Sequence, residues 1–232
     1  MRLKIILIVF SFLIFESTYS QINVNVQQNS LGLDYMIRDF VTLTTLNGDL
    51  NNDTKVLGSF FLFDTWVNNC KVQIKGKEFK LNKVNLNVQT NEFMLEMGKD
   101  SIFTFTTKSI DFININDKKY KYHFYKNENK FFEVLLEGKE ENISILKGYH
   151  IRIIPKSNMG MLNRPYDKIT KDQKFYTRKG TEIKLLKLKK KEVLGLIDSE
   201  LQNDIKKYIK KNKLSYKKEK DLVEIFKYYN SL

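Results

Sequence analysis

The chain has 232 residues and a formal net charge of +13, with 42% hydrophobic and 29% charged residues. This composition excludes intrinsically disordered, collagen-like and disulfide-scaffold proteins, and it is typical of a globular chain with one domain of moderate size. Cys70 is the single cysteine, so an intramolecular disulfide is impossible, and we predict that its thiol is buried as a small apolar group.

Residues 1–20 follow the order of a secretory signal peptide. Arg2 and Lys4 make the start positive, and the apolar run 5–15 follows. Thr18 and Ser20 then place small residues at the −3 and −1 positions of a cleavage site. The apolar run is shorter than the roughly 20 residues that a transmembrane helix needs. We therefore predict cleavage near Ser20 and a secreted or periplasmic mature chain without a transmembrane segment.

Residues 21–188 show the alternation of apolar and polar side chains that is typical of half-buried strands. The pattern is clear in 22–27 and 84–89, and again in 120–124, where we predict that Tyr120, Tyr122 and Phe124 point inward. Short polar breaks such as 75–77, 116–118 and 127–129 indicate antiparallel hairpins. About ten strands must each bury one face, so we predict an antiparallel β-domain that forms a barrel, a roll or a sandwich.

Two irregularities interrupt this pattern. The alternation slips by one residue at Ile113 and Ile115, which predicts a β-bulge or a strand that is buried on both faces. The stretch 155–170 contains both prolines of the chain and shows no clear period. Loops of this length in compact domains often carry function. Arg164 and Tyr166 in this loop are therefore candidate site residues.

The period changes to that of a helix after the last predicted strand, 182–188. Ser199 and Gln202 have the spacing of a capping box that opens a helix. Segment 189–232 is therefore predicted to form amphipathic helices packed on the β-domain, so that the whole chain has an α+β fold. The apolar positions that repeat with helical spacing are Val193, Leu194 and Ile197, then Leu201, Ile205, Tyr208 and Ile209, then Leu222, Ile225, Phe226 and Tyr229.

The positive charge is concentrated near the C-terminus. Residues 168–232 contain 19 Lys or Arg and 9 Asp or Glu, so +10 of the total net charge of +13 lies there. Clustered lysines attract polyanions, and an anionic glycan, a lipid surface or an acidic protein would fit as partner. Nucleic acid is disfavoured, because arginine is the preferred residue for bidentate phosphate recognition and is scarce here. The candidate anion-contact residues are Lys189, Lys190, Lys191, Lys206, Lys207, Lys210 and Lys211.

The sequence carries no catalytic fingerprint such as a P-loop, a dinucleotide-binding motif or a nucleophile elbow. It predicts no cofactor and no metal, since His123 and His150 are the two histidines. We predict an exported, non-catalytic binding or structural module of the cell envelope. The alternative is a secreted, glycosidase-like hydrolase that uses paired carboxylates, for which Asp34 with Asp39, or Asp64, are the candidates.

Three segments of the chain together suggest a family. They are residues 58–66 (GSFFLFDTW), residues 86–92 (LNVQTNE) and the C-terminal stretch 208–232. In these segments the chain resembles an uncharacterised family of small secreted β-rich proteins from bacteria of the Bacteroidetes group. The resemblance implies a β-rich body and an envelope or extracellular location. It implies no reaction, and no catalytic residue is carried over from it.

Overall fold

The computed structural model describes residues 41–45, 56–97, 101–105, 110–157 and 164–232. The predicted signal peptide, the predicted strand 22–27 and the acids Asp34 and Asp39 lie outside these residues. In the described chain, antiparallel strands come first and helices last, which confirms the predicted α+β fold with a β-rich body followed by C-terminal helices.

The described residues form sheets of four and nine strands. The smaller sheet has the order β1-β7-β6-β5, and the larger has the order β13-β12-β11-β10-β9-β8-β3-β4. Strand β2 adds to the larger sheet by a short parallel pairing with β12, whereas the other pairs are antiparallel. The elements are β1 (Val41–Thr45), β2 (Val56–Leu57), β3 (Cys70–Ile74), β4 (Lys77–Leu81), β5 (Val84–Asn87), β6 (Glu92–Glu96), β7 (Ser101–Phe105), β8 (Ile110–Ile115), β9 (Lys118–Tyr125), β10 (Glu128–Leu136), β11 (Ser144–Ile154), β12 (Asp167–Lys179), β13 (Glu182–Leu186), α1 (Lys190–Leu194), α2 (Gln202–Lys211) and α3 (Glu219–Tyr229).

The two sheets share one apolar core, so the body is a sandwich. Phe93 from the smaller sheet meets Tyr120 and Phe131 from the larger sheet edge to face, with ring centroids 5.3 and 4.9 Å apart. Cys70 is fully buried in the same core, as predicted, and burial raises the pKa of its thiol to about 12. The thiol is therefore a packing group rather than a nucleophile.

The helices bury a second core against the larger sheet. Ile145 of β11 lies in this helical core, whereas Tyr149 of the same strand lies in the sandwich core. These two side chains are four residues apart and so lie on the same face of the sheet. One face of β11 is thus covered by helices at one end and by the smaller sheet at the other. Phe226 of α3 is fully buried in the helical core.

Three of the described hairpins turn on residue pairs with positive φ, and the first, Lys75-Gly76, lies inside the predicted break 75–77. Asn116 and Asp117 have φ of 49° and 63°, and Lys126 and Asn127 have φ of 51° and 65°. Positive φ at both central residues matches the right-handed twist of the flanking strands in a two-residue hairpin. The turn Asn116-Asp117 lies inside the predicted break 116–118, and the turn Lys126-Asn127 begins one residue before the predicted break 127–129.

The predicted slip in alternation is a β-bulge. Ile74 and Gln73 of β3 pair with Ile110 and Phe112 of β8, so Asp111 is the extra residue. Beyond the bulge Ile113 and Ile115 are fully buried, which restores the alternation on the core face.

Two strand predictions and one loop prediction need correction. Phe124 is 63% exposed, because it lies at the hairpin end of β9 opposite Asn129, where the sandwich core no longer covers it. The last strand ends at Leu186 instead of at residue 188. The loop predicted at 155–170 is shorter, because β12 already begins at Asp167.

The predicted capping box between Ser199 and Gln202 is wrong. Helix α2 has Leu201 at its N-cap, with no side-chain hydrogen bond, because Ser199 lies in the turn before it. The Gln202 side-chain amide instead donates to the carbonyl oxygens of Leu194 and Ile197, at 3.1 and 3.2 Å. It thereby ties the start of α2 to the end of α1, where the Leu194 carbonyl oxygen also accepts from the Ile197 N–H at 3.2 Å.

Candidate functional site

A cluster of five ionisable side chains lies between the two cores, with four of them buried and the fifth half-buried. Antiparallel register places Glu133 of β10 beside Tyr120 of β9 and Lys147 of β11. The Lys147 ammonium lies 3.1 Å from Glu133 Oε1, and the Tyr149 hydroxyl donates a hydrogen bond to Glu133 Oε2. Glu219, the first residue of α3, accepts two hydrogen bonds from Lys147 at 3.0 and 3.1 Å. We call Tyr120, Glu133, Lys147, Tyr149 and Glu219 the buried polar cluster.

The chemistry of the buried polar cluster is that of a structural ion network. Burial, followed by the nearby Tyr120 and by the hydrogen bond to Glu133, raises the pKa of Tyr149 above its usual value. Glu133 and Glu219 contact the same ammonium, so Lys147 occupies the space between the two carboxylates. A substrate held between two catalytic acids would need that space. The pair therefore joins the helices to the sheet and does not support hydrolase chemistry.

Sequence reasoning missed this cluster, although a signal was present. Glu133 interrupts the apolar run 131–136, and Lys147 follows Ile145 and Leu146 in a strand of apolar residues. A charged residue in such a strand is seldom fully buried without a partner. A buried glutamate and a buried lysine in neighbouring strands would be expected to form an ion pair. The sequence does not show that they are neighbours, because that depends on the register of β10 and β11.

A cleft opens where β10 and β11 separate. The ladder between them runs only over residues 133–136 of β10 and 145–147 of β11. Beyond this ladder, toward Glu128 of β10 and Ile154 of β11, the two strands no longer pair with each other. There β10 stays paired with β9, and β11 stays paired with β12. The space between holds a cavity of about 530 Å³, a size typical of ligand sites. The cavity is lined by Val88, Gln89, Thr90, Asn91, Glu128, Lys130, Tyr149, His150, Ile151 and Ile153.

Asn91 lies at the end of this cleft that is next to the β10–β11 ladder. Its side-chain Oδ1 accepts a hydrogen bond from the Phe131 N–H at 2.6 Å, and its Nδ2 donates to the Phe131 carbonyl oxygen at 3.4 Å. Asn91 has a φ of 57°, the left-handed conformation that asparagine tolerates better than most residues. The turn after β5 thus delivers an amide group to an edge of β10 that β11 has left.

The two histidines lie beside an aromatic cluster on the other face of the larger sheet. The rings of Phe132 and Tyr176 meet edge to face at 5.0 Å, and the Tyr176 hydroxyl lies 2.8 Å from His150 Nε2. Burial, followed by Arg178 and Lys121, lowers the pKa of His123 to about 4. Burial also lowers the pKa of His150, with Lys174 adding to the effect. Both rings are therefore neutral at physiological pH.

The predicted anion-contact lysines are all exposed. Helix α2 buries Ile205 and Ile209 in the helical core, while its lysines lie toward solvent. Lys207 forms an ion pair with Asp204 at 3.1 Å, in a region where neither side chain is buried. Such exposed pairs leave the positive charge accessible to a partner. The exposed set is Lys189, Lys190, Lys191, Lys206, Lys207, Lys210 and Lys211.

The candidate loop residues lie at the neck of their loop. The backbone of Arg164 exchanges two hydrogen bonds with Ser157, at 2.8 and 2.9 Å, and so closes the loop at its base. Arg164 and Tyr166 are both half-buried. The structure thus places them together at the start of β12. They lie away from the C-terminal lysines, because the start of β12 pairs with the end of β11 at Ile154, whereas the helices pack near the start of β11 at Ile145.

The candidate acid Asp64 lies open to solvent. Its side chain is 98% exposed and forms an ion pair with Lys171 at 3.7 Å. The cleft has one acidic residue among its lining residues, Glu128, and a smaller cavity of about 300 Å³ between Asn69 and Asp117 also has one. These sites lack the carboxylate pair that the hydrolase alternative requires.

None of the helices in the described residues combines the length and apolar character needed to cross a membrane. Comparison with protein families, with curated proteins and with solved structures found no match to this chain. The resemblance to the secreted β-rich family therefore stays a prediction, and the site geometry is the basis for assigning function.

Proposed function

We propose that the protein is an exported, non-catalytic binding module of the cell envelope whose C-terminal helices contact an anionic surface. The observation that carries the proposal is the exposure of all seven candidate lysines on a segment with a large excess of positive charge. The signal-peptide pattern of residues 1–20 supports export, with a secreted or periplasmic mature chain.

The contact is electrostatic rather than insertive. Helix α2 already uses Ile205 and Ile209 to pack on the rest of the protein, so its apolar face is not free to enter a lipid layer. Exposed lysines act over about a Debye length, near 8 Å at physiological salt. An anionic glycan, a lipid surface or an acidic protein would all satisfy this chemistry, and binding should weaken as the salt concentration rises.

Vesicle binding tests the proposal directly. The mature protein should sediment with phosphatidylglycerol vesicles at low salt, but less so at physiological salt and not with neutral phosphatidylcholine vesicles. The binding variant replaces four helix lysines by Gln, and a matched control replaces four exposed lysines of the β-domain by Gln, so that both lose the same charge. The binding variant changes Lys206, Lys207, Lys210 and Lys211, and the control changes Lys80, Lys139, Lys156 and Lys168.

The binding variant should lose most of its vesicle affinity, while the control keeps most of it. Equal losses in the two variants would mean that net charge alone drives the interaction, and the assignment to the helices would be wrong. Absence of binding by the unchanged protein at low salt would exclude lipid surfaces as the partner. A parallel measurement with an acidic polysaccharide would then decide whether the protein binds any polyanion.

A further inference from the structure

The main-chain groups of β10 point into the cleft. Phe131 pairs with Tyr122 of β9, yet its own N–H and carbonyl oxygen bond to Asn91 on the opposite side. In an antiparallel ladder, alternate residues of a strand direct both groups to the same neighbour. Asn129, two residues from Phe131, therefore directs its N–H and carbonyl oxygen toward the cleft as well.

The same reasoning applies to β11 across the cleft. Lys147 pairs with Glu133, which lies two residues from Phe131 and so faces β11. By the period of two, Ile151 and Ile153 direct their main-chain groups toward the space that β10 has left. Within the described residues, no backbone pairing joins these parts of β10 and β11. The cleft therefore has a short strand edge on each side, formed by Asn129 of β10 and by Ile151 and Ile153 of β11.

Asn91 shows which chemistry such an edge accepts. Its carboxamide offers one acceptor and one donor to Phe131, and these are the groups that a peptide bond of an added strand would offer. One amide of the chain thus already fills the first position of the cleft, and the cavity begins immediately beyond it.

We propose that this cleft binds an extended, uncharged polypeptide segment, which adds a strand between β10 and β11. Recognition by strand addition uses main-chain hydrogen bonds for affinity and small pockets for alternate side chains. Ile153 is 51% exposed on the cleft wall and offers an apolar contact to such a side chain. Glu128 and Lys130 neutralise each other at 2.8 Å on the rim, which favours a ligand without net charge. This site is separate from the lysine-bearing helices and does not depend on their function.

A synthetic peptide provides the probe. The capped peptide Ac-Thr-Val-Thr-Val-Thr-NH2 is titrated into the protein and followed by amide hydrogen exchange and by NMR chemical shifts. Saturable binding should protect the amides of Ile151 and Ile153 from exchange. The same peptide with both valine amides N-methylated should bind about tenfold more weakly, because two main-chain donors are lost.

Two protein variants complete the experiment. Ile153→Lys places a charge on the cleft wall and should weaken binding, whereas Val67→Lys at a residue that is 72% exposed elsewhere should leave it unchanged. Equal affinity of the two peptides, no saturable binding, or protection confined to other strands would overturn the proposal. If Ile153→Lys fails to fold, the comparison of the two peptides on the unchanged protein still decides.

Discussion

Replacement of Lys147 by Met tests whether the buried polar cluster joins the helices to the sheet. The side chains of Lys147 and Glu133 are buried, with residue exposures of only 3% and 4%. Methionine keeps much of the aliphatic volume of lysine, so the change removes the charge with little change in packing. Glu133 would then keep the Tyr149 hydroxyl and Lys118, whose ammonium is 3.8 Å away.

The expected loss follows from the burial of each partner. Glu219 is 36% exposed at its side chain, so water can solvate its carboxylate when Lys147 is gone. Water cannot reach the Glu133 carboxylate without opening the core, so Glu133 determines how much stability is lost. Breaking a buried ion pair by removing one partner costs about 3–5 kcal/mol. For a chain of this length, that corresponds to a drop in Tm of about 6–20 °C.

Urea unfolding monitored by circular dichroism measures this loss. Lys147→Met combined with Glu133→Gln should recover at least half of it, because the neutral amide no longer needs a counterion. Lys184→Met is the matched control, since Lys184 pairs with Glu182 at 2.9 Å while both are about two-thirds exposed. The control should change the free energy of unfolding by less than about 1 kcal/mol. A similar small change for Lys147→Met, or an additive further loss in the double variant, would refute the reasoning.

Three further outcomes are expected. Gly148→Ala should destabilise the protein by about 1–3 kcal/mol in the same urea assay, because a Cβ atom there would lie 2.9 Å from the Tyr176 ring; an unchanged midpoint would contradict this close approach. The Cys70 thiol should react with a disulfide reagent at pH 8 only after unfolding, and fast labelling of the native protein would mean that it is accessible. NMR titration should place the pKa of His123 at about 4. Because the unfolded chain binds that proton first, the free energy of unfolding should fall as the pH drops from 6.5 to about 4, and a native pKa near 6.5 would exclude this.

Local patterns in the sequence predicted the parts of the fold that depend on local geometry. The alternation of Tyr120 and Tyr122, the slip before Ile113 and the polar pair Asn116-Asp117 each report a property of one strand or one turn. The burial of Phe124 was predicted wrongly, because alternation gives the face of a side chain but not whether another sheet covers that face. A barrel, a roll and a sandwich share the same alternation, so the choice among them required the structure.

The candidate sites divide in the same way. Exposure of Lys206 and Lys210 follows from helical spacing around Ile205 and Ile209, so sequence reasoning located it. The cleft exists because β10 and β11 do not pair on the N-terminal side of Glu133, and no local signal marks where a ladder ends. It could therefore be found only from the pairing of residues that are far apart in the sequence.

Strand β11 connects all these features through one face. Every second residue meets a different part of the molecule: Ile145 lies in the helical core, Lys147 in the buried polar cluster, Tyr149 and Ile151 against the sandwich core, and Ile153 on the wall of the cleft. A shift of one residue in register would turn all five side chains to the opposite face. The register of β11 therefore determines both where the lysine-bearing helices pack and where the cleft opens. A substitution that disturbs this register should affect both sites together.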